Sequence, residues 1–95
     1  MEITDVKIRK FVDDVRIKAY VSIVIDGVIA VHDMKVIESK EDGHLYIAMP
    51  YRKTAQGKPM DIIHPINQET REELEAAIIS KYLQEVSMKK EPIIL

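Results

Sequence analysis

The stretch VRIKAYVSIVIDGVIAVHDMKVI, residues 15–37, decides the fold. Its first half has a period of two. Val15, Ile17, Ala19, Val21, Ile23 and Ile25 fall on one side, and Arg16, Lys18, Tyr20, Ser22 and Val24 fall on the other. Alternation of this length predicts a strand with one buried face. Asp26-Gly27 then supplies the positive φ angles of a type I′ turn. The chain reverses there, and VIAVHDMKVI becomes the antiparallel partner strand.

Upstream, EITDVKIRK reads as a shorter strand that ends in a turn near Asp13-Asp14. Downstream, SKEDGH reads as a turn and HLYIAM as a fourth strand, with Leu45, Ile47 and Met49 on one face. Pro50 stops that strand, because proline cannot donate to a ladder. PMDIIHPI reads as a fifth, short strand bounded by Pro59 and Pro65, which suits an edge. Ile66 is expected to pack back against the helix start, and His64 to bond across the sheet.

The period then changes. Asn67 is an N-cap, glutamates crowd the first turns, and Leu74, Ile78, Tyr82 and Val86 recur every four positions, with Ile79 and Leu83 widening the stripe. The pattern predicts an amphipathic helix of about 20 residues that ends before Pro92. The fold class is therefore α+β: an antiparallel β-meander of about five strands followed by a C-terminal helix laid on one face. Residues 1–88 form the single domain and 89–95 a tail.

A domain of this size buries only roughly 60–65% of its unfolded surface. One helix also covers a five-stranded sheet poorly. Both points favour a homodimer, with Leu74, Ile78, Tyr82 and Val86 as core and dimer interface.

Composition narrows the chemistry. The 95 residues are 46% apolar and 32% charged, values of a globular chain. There is no cysteine, which removes disulfides and thiolate metal sites and suits a cytoplasmic location. The N-terminus lacks the apolar run of a signal peptide, and the longest stretch without charge, Ala19 to Ile25, is too short to span a bilayer.

His32, His44 and His64, with Asp33 and Asp61 nearby, match no metal-ligand spacing and fall on different predicted elements. His32 and Asp33, as neighbours on a strand, should point to opposite faces. No serine sits in a glycine-rich elbow, and no phosphate-binding loop occurs. The expectation is no catalytic residue, no metal, no cofactor and no small-molecule substrate.

One segment stands apart. Between Met49 and Ile66 the sequence carries Arg52, Lys53 and Lys58 against a single acid, Asp61, in a chain of net charge −2. Pro50 precedes the cations, and a turn at Ala55–Lys58 centres on Gly57. Tyr51 adds a ring and Thr54 a hydroxyl. Cations, a hydroxyl and a ring on a constrained loop suit phosphate contact and base stacking.

Several separated motifs resemble the stage V sporulation protein G (SpoVG) family: MEITDVKIRK, VHDMKVI, IAMPYRKT, DIIHPI and the helix that follows. The resemblance covers roughly Met1 to Leu83 in one register. It implies a small bacterial cytoplasmic dimer of a β-sheet with a C-terminal helix, linked to septation, sporulation and gene regulation, that binds DNA and also RNA. The typical family loop reads MPSKRTPDG; here it is MPYRKTAQG. The resemblance assigns nucleic-acid contact to Arg52, Lys53 and Thr54. Tyr51 replaces a small residue, and Ala55-Gln56 replaces Pro-Asp. The alternative reading is a protein-interaction module in septation that touches no nucleic acid.

Overall fold

The computed structural model describes residues 1–89. Seven elements follow one another: β1 (Ile3–Phe11), β2 (Ile17–Ile25), β3 (Ile29–Glu38), β4 (Leu45–Ala48), β5 (Tyr51–Lys53), β6 (Pro59–Asp61) and α1 (Gln68–Lys89). Strands β1 to β4 form an antiparallel meander in the order β1-β2-β3-β4, and β5 and β6 pair separately as a hairpin. The α+β reading holds. The expected fifth strand does not join the main sheet: it shortens to Pro59–Asp61 and folds against Tyr51–Lys53. The segment expected to be a loop is therefore largely a hairpin. The tail residues 90–95 lie outside the described residues, and Lys89 is still helical.

Asp26 and Gly27 both have positive φ, 52° and 69°, as the type I′ turn requires, and the Val28 N–H donates to the Ile25 carbonyl at 3.0 Å. The paired residues beyond the turn are Ile25 and Ile29, however. Val28 is left over and is 80% exposed. Val15, expected on the inner face of β2, precedes the strand and is 83% exposed. Asp14 holds the chain in a turn there. Its Oδ2 accepts the N–H groups of Arg16 and Ile17 at 2.8 and 2.9 Å.

Helix α1 lies on one face of the sheet, touching β1 and β4. The core between them is Ala19, Val21 and Ile23 from β2, Val31, Met34 and Val36 from β3, Ile47 and Met49 from β4 and beyond, and Leu74 and Ile78 from the helix. Asn67 caps the helix, its Oδ1 accepting the Thr70 N–H at 2.7 Å. Glu75 bonds the Ile47 N–H of edge strand β4 at 3.3 Å. Ile66 does not pack against the helix start. It is 88% exposed. His64 does not bond across the sheet either; its Nδ1 lies 3.0 Å from the neighbouring Pro65 carbonyl. Among the described residues no helix is long and apolar enough to cross a membrane.

Four register shifts interrupt the pairing of the long strands, and one decides which side chains meet. Val21 pairs with Met34 and Ile23 with Val31, so His32 and Asp33 together oppose the single residue Ser22. Asp33 takes the left-handed conformation, φ 65°, that such a bulge needs. The strand rule that would send His32 and Asp33 to opposite faces fails at this point. Both line one shallow crevice with Arg9, Tyr20 and Ser22.

Candidate nucleic-acid interface

The β5–β6 hairpin places the cations of the basic segment. Tyr51 pairs with Asp61, Arg52 with Met60 and Lys53 with Pro59. Its turn is closed by Thr54. The Thr54 N–H donates to the Lys58 carbonyl at 2.8 Å, the Gly57 N–H donates to the Thr54 carbonyl at 2.9 Å, and the Lys58 N–H donates to Thr54 Oγ1 at 3.2 Å. Gly57 has φ 82°, a conformation that glycine adopts without strain. The Ile62 N–H donates to the Pro50 carbonyl at 2.8 Å and anchors the hairpin base.

Every strand residue of the hairpin is exposed. An isolated pair of three-residue strands is marginal in water. This one is short and cationic, and none of its strand residues is buried.

Successive strand residues point to opposite faces, so Arg52 and Lys53 diverge. Lys53 shares a face with Tyr51, and Arg52 shares the other with Met60. The structure therefore does not bring Arg52 and Lys53 together as one pair. The Tyr51 face continues onto the main sheet, where Lys35 Nζ lies 5.1 Å from the Tyr51 ring centroid. Thr54 is engaged in closing the turn. Lys58 is exposed at its far end.

The helix stripe divides in two. Leu74 and Ile78 are buried within the single chain. Tyr82 and Val86 line a crevice of about 560 Å³ with Phe11, Val12, Lys18 and Glu38. Burial first, and then the Glu38 carboxylate, push the Tyr82 hydroxyl above its usual range. Solvent-facing apolar side chains concentrate elsewhere, on Met60, Ile62, Ile63 and Ile66.

The histidines stay apart. His32 Nδ1 lies 2.8 Å from Ser22 Oγ, His44 bonds Asp42, and His64 bonds its neighbouring carbonyl. The His44 side chain beside Asp42 holds that carboxyl below its usual range, helped by the His44 backbone N–H. Among the described residues, no three histidine or carboxylate side chains converge as a metal-ligand group.

Sequence reasoning missed the open face of the main sheet. Lys7, Lys10, Tyr20 and Lys35 lie on the side away from α1, as their pairing with Ser22 and with one another requires. The signal was present in the outward half of the β2 alternation, but the partner of each residue depends on bulges.

Comparison with known proteins assigns the family. The SpoVG family model matches residues 1–84. A protein of Caldicellulosiruptor bescii named "Putative septation protein SpoVG" is 51% identical over 82 residues, covering 86% of this chain and 91% of that one. A protein of the same name from Acetivibrio thermocellus is 52% identical over 82 residues, covering 86% of this chain and 85% of its own. The chain belongs to the SpoVG family.

Proposed function

We propose that this SpoVG-family chain is a homodimeric, non-enzymatic, cytoplasmic regulator that binds nucleic acid through the β5–β6 hairpin and acts in septation or in control of gene expression. The observation that carries the reading is the hairpin itself: Arg52, Lys53 and Lys58 on an arm with no buried residue, in a chain of net charge −2. A two-stranded ribbon is narrow enough to enter a DNA major groove, and cations on both its faces reach the phosphates on either side. Splitting Arg52 from Lys53 suits that placement, because each faces a different groove wall.

The homodimer is supported by the apolar side chains Ile62, Ile63 and Ile66, which lie just beyond the hairpin in sequence and are solvent-facing in the single chain. Two copies joined there would carry two hairpins. The same exposed segment also favours the second reading, a septation module that binds another protein and no nucleic acid.

Anisotropy titration of labelled duplex DNA at two salt concentrations tests the function. Each phosphate neutralised adds about 0.9 to the dependence of log affinity on log salt. The Arg52→Ala/Lys53→Ala protein should bind more weakly, with a slope shallower by about 2 per engaged subunit. A folded variant with wild-type affinity and slope would remove the hairpin from the function and leave the protein-interaction reading ahead. Light scattering that finds only monomer at micromolar concentration would remove the dimer.

A further inference from the structure

The face of the main sheet that α1 leaves open carries a pattern the fold does not require. Lys10 pairs with Tyr20, and Tyr20 pairs with Lys35 across the next strand. Lys35 Nζ in turn sits over the Tyr51 ring. Read across β1 to β4 the row is Lys10, Tyr20, Lys35 and the small Ala48, and the Lys35 side chain reaches the Tyr51 ring at the base of the hairpin. Neighbouring strands are about 4.8 Å apart. Tyr20 therefore has a lysine within one strand spacing on either side.

A second line of donors lies one step along. Lys7 pairs with Ser22, and Arg9, set out of register by its own bulge, donates from Nε to Ser22 Oγ at 3.2 Å. His32 reaches the same hydroxyl from the opposite strand. The one carboxylate in that crevice is Asp33. The opposite layer of the molecule is acidic: over residues 68–88, α1 carries Glu69, Glu72, Glu73, Glu75 and Glu85 against Arg71 and Lys81. A polyanion is thus drawn to the open sheet face and repelled from the helix side.

We propose that this open face binds single-stranded nucleic acid, with bases stacked on Tyr20 and Tyr51 and phosphates held by Lys10, Lys35 and Arg9. The inference rests on the nucleic-acid reading of the hairpin and extends it to a second surface with a different substrate. A stacking platform needs a base whose ring face is free, which a duplex hides and a single strand offers. A flat sheet cannot enter a duplex groove, whereas the hairpin can. RNA and single-stranded DNA share the chemistry, and the 2′-hydroxyl separates them.

The test measures the full chain against an oligo-uridine, an oligo-thymidine and a duplex of equal length, each at two salt concentrations. Tyr20→Leu keeps the apolar bulk of the side chain but not its ring, and should weaken single-strand binding about tenfold. Lys10→Ala/Lys35→Ala should flatten the single-strand salt slope by about 1.4. Tyr20→Leu should leave duplex binding intact, while Arg52→Ala/Lys53→Ala should weaken the duplex. Tighter binding of the uridine or of the thymidine strand identifies which source the face prefers. If Lys10→Ala/Lys35→Ala, at unchanged melting temperature, binds single strands like the wild type, the open face is not the site, and the hairpin function stands alone. If the variant instead loses self-association, the face is covered by the acidic helix of a second copy, and the inference fails. If the wild type binds none of the three probes at low salt, the nucleic-acid function fails with it.

Discussion

Ser22 Oγ and His32 Nδ1 lie 2.8 Å apart across β2 and β3, at the point where two β3 residues oppose one β2 residue. Ser22 is thereby satisfied although it is only 7% exposed on a strand of the sheet centre. Arg9 closes over it from β1. The extra residue in β3 is what lets His32 reach the serine while Met34 returns to the core.

The bulge depends on Asp33, which sits at φ 65°. Aspartate tolerates this region better than most residues, glycine tolerates it freely, and a β-branched residue does not. Asp33→Gly should leave stability close to wild type. Asp33→Val should cost about 1–3 kcal/mol. Urea denaturation of the two variants decides it. A valine variant as stable as the wild type would mean that the bulge relaxes without cost.

The sequence pattern carried the strand order, the turn at Asp26-Gly27, the Asn67 cap and the helix, because each depends on a few neighbouring residues. It did not carry the register. A two-residue Asp-Gly connection would pair Ile25 with Val28 and therefore Tyr20 with Asp33. The leftover Val28 shifts that register by one, and the bulge at His32-Asp33 shifts it again, so Tyr20 meets Lys35. The Tyr20–Lys35 pairing exists only after both shifts, and the Lys10–Tyr20 pairing only after the bulge at Arg9. Likewise Arg52-Lys53 reads as a basic pair until Lys53 and Pro59 are found to be paired, which makes the segment a strand and sends the two cations apart. Ile66 illustrates the converse: a staple position was recognisable, but the chain enters the helix with that side chain in solvent.

Ile78 is fully buried between helix and sheet, and its loss leaves a cavity that neither layer can readily close. Ile78→Ala should cost about 2–5 kcal/mol, a large part of the stability of a domain this small. Val86, at the crevice with Phe11 and Val12, should cost less when cut to alanine. Thermal melts at several protein concentrations measure both. If Ile78 acted mainly between subunits, its deficit would shrink as concentration rises; burial within one chain predicts the unfolding deficit at every concentration.

Asp14 makes stability depend on pH at the start of β2. The N–H groups of Ile17 and Arg16 favour its ionised form and hold its carboxyl below the ordinary 3.8. A depressed folded-state value stabilises the fold above the unfolded value and loses that contribution as pH falls through the folded one. Asp14→Ala should therefore lower the melting temperature at neutral pH. The gap from wild type should narrow as pH falls below 3.8. A gap that stays constant down to the most acidic pH at which the protein folds would show that the charge on Asp14 is irrelevant.

Thr54 separates holding the hairpin from touching the ligand. Its N–H, carbonyl and hydroxyl are all used within the turn, on Lys58 and Gly57. Thr54→Val keeps the shape of the side chain and both backbone bonds but removes the acceptor for the Lys58 N–H. A lost hydrogen bond of this kind is worth about 1 kcal/mol, enough to loosen an arm with no buried residue without unfolding the sheet. Hydrogen exchange should quicken at Thr54, Gly57 and Lys58 and stay unchanged in β2 and β3. Duplex affinity should fall modestly because the arm must be reordered on binding, while the salt slope should hold because every cation remains. Arg52→Ala/Lys53→Ala predicts the opposite signature, a flatter slope with unchanged exchange in the turn. If Thr54→Val instead left exchange untouched and still weakened binding, its hydroxyl would be a direct phosphate contact and the turn-closing role would be secondary.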